Sequence, residues 1–77
     1  MNAFEQIKKI LVERFVIDAN KIHPESDLQK ELKLDSMDAI DLLLAVNETF
    51  SLRISDKTLD EIHTVGQLAA VVEKYKR

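Results

Sequence analysis

The sequence predicts an all-α fold, a small four-helix bundle with three longer helices, one short helix and a long first loop. Three observations lead there. Apolar residues return at helical spacing in three separate segments. A single glycine and a single proline in 77 residues leave few breaks for tight β-hairpins. Helix-starting residues stand where the periodic segments begin: Asn2 with Glu5, Asp35 before Ser36, and Thr64 with Gln67.

The first helix is expected from Ala3 to Phe15 or Val16. Phe4, Ile7, Leu11 and Phe15 recur at steps of three and four and form its core face. Residues Ile17 to Lys33 then read as the longest loop, because Asp18, Asn20 and the His23-Pro24 pair disfavour a helix and proline pushes His23 toward extended geometry. Ile22 and Leu28 are expected to anchor that loop to the core. Ser26 and Gln29 have capping-box spacing for a short turn over Asp27–Leu32. The carboxylates of this loop do not make a calcium site, since the glycine and glutamate of such a loop are missing from their positions.

The second helix spans Ser36 to Phe50 or Ser51. At 100° per residue, Ile40, Leu42, Leu43, Val46 and Phe50 form a broad core face, whereas Asp38, Asp41, Ala45 and Glu48 form a narrow stripe opposite. Met37 and Leu44 lie on the border. Ser51 to Ser55 reads as a loop with Leu52 and Ile54 turned inward, because a lone strand would have no partner. Asp56 to Glu61 or Ile62 is the short third helix, capped by Ser55. The last helix opens at the Thr64–Gln67 capping box, buries Leu68, Val71, Val72 and Tyr75, and ends among Lys74, Lys76 and Arg77, where the helix dipole favours cations.

Composition narrows the function. Hydrophobic residues make up 45% and charged residues 32%, enough for one core and a water-facing surface, so residues 1–77 read as a single domain. The net charge is −3, and residues 25–61 hold ten acids against four bases, a central acidic face suited to a basic partner. Cysteine is absent, which removes disulfides, cysteine metal sites and cysteine nucleophiles together. The start of the chain, Met1 to Glu5, lacks a basic region leading into an apolar run. No apolar run approaches the ~20 residues of a membrane span. A cytoplasmic monomer is expected.

Ser36 stands out. Asp35 is a good N-cap, Asp38 adds negative charge to the first turn, and the Ser36 hydroxyl falls at the positive end of the helix dipole, where a phosphate ester would be favoured. Asp35-Ser36-Met37, followed by a mostly apolar helix with an acidic stripe, resembles the Asp-Ser-Leu attachment motif of acyl carrier proteins. The resemblance covers nearly the whole chain. It departs at Lys33 and Leu34, where small residues are common, at Met37 in place of leucine, and at Asn47, which thins the acidic stripe.

The resemblance implies a carrier and not an enzyme. Ser36 would carry 4′-phosphopantetheine, placed there from coenzyme A by a phosphopantetheinyl transferase using magnesium, with Asp35 helping to present the serine. The thiol of the arm would hold acyl intermediates as thioesters for acyl-transferring and ketosynthase-type enzymes with basic docking surfaces, in fatty acid, specialised lipid or polyketide-type biosynthesis. Met37, Asp38, Asp41, Leu44 and Glu48 would contact those partners. Leu42, Val46, Phe50, Ile54, Leu59 and Ile62 would line the space for the acyl chain. Aminoacyl and peptidyl carriers share the scaffold. The rival from another class is an unmodified domain that docks a basic partner through its acidic second helix.

Other chemistry finds little support. No G-x-S-x-G elbow surrounds Ser36 and neither His23 nor His63 sits in a motif, which argues against a hydrolase. Two isolated histidines and scattered carboxylates lack metal-ligand spacing. A DNA-reading helix would carry lysine and arginine where the second helix carries acids.

Overall fold

The computed structural model describes residues 2–76. Helix α1 runs Ala3–Arg14, α2 runs Ser36–Phe50 and α3 runs Val65–Tyr75, with a short 3₁₀ helix at Asp56–Glu61 between α2 and α3. This is the expected bundle of three longer helices and one short one. Among the described residues there is no strand, only an isolated bridge between Asp27 and Thr64. Arg77, expected at the end of the last helix, lies outside the described residues.

α1 starts as its sequence dictates, with the Asn2 side chain accepting the Glu5 N–H at 2.8 Å. A second acceptor arrives from the far end of the chain, where the Glu73 carboxylate takes the Ala3 N–H at 3.2 Å. The helix stops at Arg14, just short of the expected Phe15 or Val16. Val16 turns into the left-handed region (φ 56°) and the Ile17 N–H reaches back to the Leu11 carbonyl at 3.2 Å. That conformation is unusual for a β-branched residue, and Val16 is 86% exposed.

The long loop is more ordered than its composition suggests. Ala19–Lys21 form a 3₁₀ turn capped by Asp18, and Ile22 and Leu28 are buried anchors as expected. Ser26, in contrast to its expected role, caps no helix. It is buried, accepts the His23 N–H at 2.9 Å and donates to the Lys21 carbonyl at 2.8 Å. Asp27 does the capping instead, accepting the N–H groups of Gln29 and Lys30 at 2.9 and 2.8 Å. The Lys30 N–H above all holds the Asp27 carboxyl below its ordinary pKa.

Three backbone bonds pin this loop to the entry of α3: Leu28 N–H to His63 at 2.9 Å, Val65 N–H to Ser26 at 3.1 Å and Gly66 N–H to Pro24 at 2.7 Å. The Thr64–Gln67 capping box is formed in both directions. Before α2, Leu32 and Leu34 are both buried while the intervening Lys33 sits at φ 62° and is exposed.

The core is built from Ile7 and Leu11 of α1, Leu42, Leu43 and Val46 of α2, Val65, Leu68 and Val72 of α3, and Ile22, Ile54 and Ile62 from the connections. α2 departs from its expected faces in two places. Ala45, expected in the acidic stripe, is buried, and Ile40, expected in the core, is 42% exposed. α2 packs against α1 on one side and the 3₁₀ helix on the other, so its buried arc is set by two neighbours and not by one. Tyr75 is 47% exposed, one turn past the last buried residue of α3, Val72.

Asn47 also has a structural role. Its side-chain amide donates to the Ile54 carbonyl at 3.1 Å and its oxygen accepts the Ile54 N–H at 2.9 Å, so it ties the chain after α2 back to the helix. Ser51 supplies the left-handed turn (φ 57°), and the Leu52 N–H bonds Asn47's carbonyl at 2.9 Å. Asn47→Ala leaves two partly buried backbone groups without partners, and a loss of about 1–3 kcal/mol is expected. Denaturant unfolding of the two proteins checks this: equal midpoints would show that water satisfies Ile54.

Candidate functional site

Ser36 is exposed at the first position of α2. Two aspartates hold the start of that helix. Asp35 Oδ1 accepts the Asp38 N–H at 2.8 Å, and Asp38 Oδ2 accepts the Asp35 N–H at 3.3 Å. The helix start is therefore fixed without the serine hydroxyl, and Ser36 is exposed beside two carboxylates and at the positive end of the helix.

Ser36 also stands on the rim of a cavity of about 210 Å³ between α2 and the 3₁₀ helix. Leu28, Leu34, Ala39, Ile40, Leu59 and Ile62 make its apolar lining, and Gln29, Asp56 and Asp60 bring polar groups to it. Of the six residues expected to shelter an acyl chain, Leu59 and Ile62 line this cavity. Leu42, Val46 and Ile54 lie in the packed core, and Phe50 packs against it from the edge, under the Lys76 ammonium at 5.6 Å from the ring centre. Leu28, Leu34, Ala39 and Ile40 were not expected there. Leu34 and Ala39 could have been found, because an apolar residue just before the N-cap and one at the fourth helical position have the spacing of a hydrophobic staple.

The residues expected to meet partners fall into three states. Met37 and Leu44 are 78% and 58% exposed, and with Ile40 between them they form an apolar ridge along α2. Asp38 is half-buried and engaged in the capping box. Asp41 is held by Arg14 of α1, Nη2 to Oδ1 at 2.9 Å and Nε to Oδ2 at 3.3 Å, and the hydrogen bond to Asp41 raises the Arg14 pKa. Glu48 is exposed. His23 and His63 are both exposed, and His63 stands with Asp27 and Asp60 in an adjoining hollow of about 200 Å³ that shares Leu28, Leu59 and Ile62 with the cavity at Ser36. Among the described residues no group of three or more histidines and carboxylates is placed to hold a metal ion, and no helix is long and apolar enough to cross a membrane.

The arrangement therefore offers an exposed serine at a helix N-terminus, an apolar cavity beside it and an apolar-acidic ridge running away from it. A hydroxyl so placed can take a phosphodiester, whose charge the helix end favours, and a chain hung from that phosphate has an apolar space within reach. Comparison with known proteins agrees with this geometry. The family model described as "Phosphopantetheine attachment site" matches residues 5–72. The acyl carrier protein of Helicobacter hepaticus is 38% identical over 76 residues, which cover 99% of this chain and the whole of that protein. The acyl carrier protein of Phytoplasma mali is 35% identical over 72 residues, 94% of this chain and 86% of the relative.

Proposed function

This chain belongs to the acyl carrier protein family, and from that premise we propose that Ser36 is the residue that carries its 4′-phosphopantetheine. The family membership favours a carrier over an unmodified docking domain. Bound to the chain, the group supplies a thiol on a flexible arm that holds acyl groups as thioesters. The one observation that carries the assignment to Ser36 is its place: exposed, at the N-terminus of α2, on the rim of the apolar cavity.

The chain's own residues divide the remaining work. Asp35 and Asp38 fix the first turn and so the point from which the serine side chain leaves the helix. Leu28, Leu34, Ile40, Leu59 and Ile62 shield an apolar tail from water, worth about 0.8 kcal/mol per buried methylene. The cavity holds about seven times the volume of a water in the liquid, which suits a short acyl chain. A longer one requires the 3₁₀ helix to move away or the core around Leu42, Val46 and Ile54 to open. Met37, Leu44 and Glu48 give partner enzymes an apolar ridge with an acidic edge. The partners are a phosphopantetheinyl transferase, acting with coenzyme A and magnesium, and acyl-transferring or ketosynthase-type enzymes with basic docking surfaces. The chain works as one carrier domain and performs no catalysis of its own.

The test is the intact mass after incubation with coenzyme A, magnesium and a broad-specificity phosphopantetheinyl transferase. A gain of one phosphopantetheine is expected. No gain with several transferases, the protein being folded, would overturn the proposal.

A further inference from the structure

We propose that Arg14 is a selectivity residue of the docking face: it covers Asp41 and so directs a basic partner to Glu48 and the Met37–Ile40–Leu44 ridge. The inference rests on the reading that α2 is the face partners dock on.

In the sequence, Asp38, Asp41 and Glu48 form one stripe. In the structure they are not equivalent. Asp38 gives an oxygen to the Asp35 N–H and is half-buried. Asp41 receives two nitrogens of one guanidinium, at 2.9 and 3.3 Å, the two-pronged geometry that a planar guanidinium favours over a lysine ammonium. Glu48 is exposed, and Arg14 acts on it only through the longer-range attraction of its charge.

A lysine arriving at Asp41 therefore finds a cation already in place. It must exchange one ion pair for another, and the exchange contributes little net attraction. The guanidinium left behind also repels the incoming charge. The same lysine arriving at Glu48 makes a new pair without displacing one. Both side chains of the Arg14–Asp41 pair remain about half exposed, 51% and 44%, so the cover can be lifted and its effect on affinity is graded. The partner this face fits is a basic protein surface with an apolar patch, its cations set toward the C-terminal half of α2.

The test needs no modified serine. The full unmodified chain, ¹⁵N-labelled, is titrated at low ionic strength with a hexalysine peptide, and the amide shifts of residues 36–50 are followed. In the wild type the largest shifts are expected around Glu48. Arg14→Ala is expected to tighten binding roughly two- to five-fold, the range that a modest surface ion pair supports, with new shifts centred on Asp41. Arg14→Gln, which keeps the aliphatic stem, is expected to do the same. Lys9→Ala removes the same charge from an exposed position of α1 and is expected to give less than half of that change. In an Asp41→Asn background, Arg14→Ala is expected to give no more than the general charge effect seen with Lys9→Ala, because only its longer-range action on Glu48 remains. Equal gains from Arg14→Ala and Lys9→Ala, a gain in the Asp41→Asn background as large as in the wild type, or unchanged or weaker binding would each overturn the proposal. A chain that failed to accept the phosphopantetheine arm would be seen separately, in the mass measurement, and would leave this result standing.

Discussion

Ser36→Ala is expected to abolish the gain of phosphopantetheine completely while leaving the melting temperature within about 4 °C of wild type. The two halves of this outcome have different causes. The loss is absolute because, among the described residues, Ser36 alone brings a hydroxyl to the cavity, and the neighbouring Asp35 and Asp38 are carboxylates already exchanged in the capping box. The stability is kept because those same aspartates make the cap, so the hydroxyl can be removed without freeing a backbone N–H. Alanine is also the best helix former, and exposed substitutions of this kind usually fall within about 0.5 kcal/mol, or a few degrees for a chain of this size. Intact mass and a thermal melt, measured on one preparation, check both halves. Residual modification would place the attachment elsewhere, and a large fall in melting temperature would mean that the serine helps to hold the helix.

Gly66→Ala is expected to destabilise the fold although it adds only a single methyl. A Cβ built at Gly66 lies 2.7 Å from the Pro24 carbonyl oxygen and 3.2 Å from Pro24 Cβ. The oxygen belongs to the backbone and cannot rotate away. The Gly66 N–H bonds that same oxygen at 2.7 Å, so the close approach is itself the attachment between the long loop and α3. Making room for the methyl means lifting residues 24–28 from α3, which strains the adjoining bonds from Val65 to Ser26 and from Leu28 to His63. Forced overpacking of this kind costs about 1–3 kcal/mol, with roughly 4–8 °C of melting temperature for each kcal/mol. Leu28 and Gln29 follow directly in the chain and line the cavity, so cargo retention should fall as well. Comparison of the melting curves checks the prediction, and coincident curves would show that the loop yields freely.

The contrast between these residues explains how far the sequence could be read. The extents of α1 and α3 were legible because apolar residues at steps of three and four mark their buried faces, although α1 packs on both α2 and α3 and Tyr75 fell outside the buried face of α3. The helix starts were legible because a cap is a local device: Asn2, Asp35 and Thr64 act within three residues of their own position. α2 was less so. With α1 on one side and the 3₁₀ helix on the other, its burial follows neighbours that periodicity does not contain, and Ala45 and Ile40 changed sides accordingly. Asn47 looked like a gap in an acidic stripe because its partner, Ile54, is seven residues away across a turn. Ser26 and Gly66 are set by contacts between the first loop and the last helix. The place of Ser36 at the start of α2 was legible through the Asp35 cap, whereas the cavity beneath it depends on Leu28, Leu34 and the 3₁₀ helix meeting in space.

The two walls of that cavity differ in how firmly they are held. The α2 wall belongs to a helix of 15 residues that contributes four buried side chains to the interior. The opposite wall, Asp56–Glu61, is a 3₁₀ helix with no fully buried residue, capped by Ser55 and closed by short-range bonds such as Thr58 to Ser55 at 3.0 Å. Such segments open in local events that cost far less than global unfolding. Amide hydrogens of 56–61 should therefore exchange with solvent orders of magnitude faster than those in the middle of α2. An acyl chain lodged between the walls would then register as slowed exchange along 56–61, so the protection pattern of one short segment becomes a gauge of what the carrier is holding.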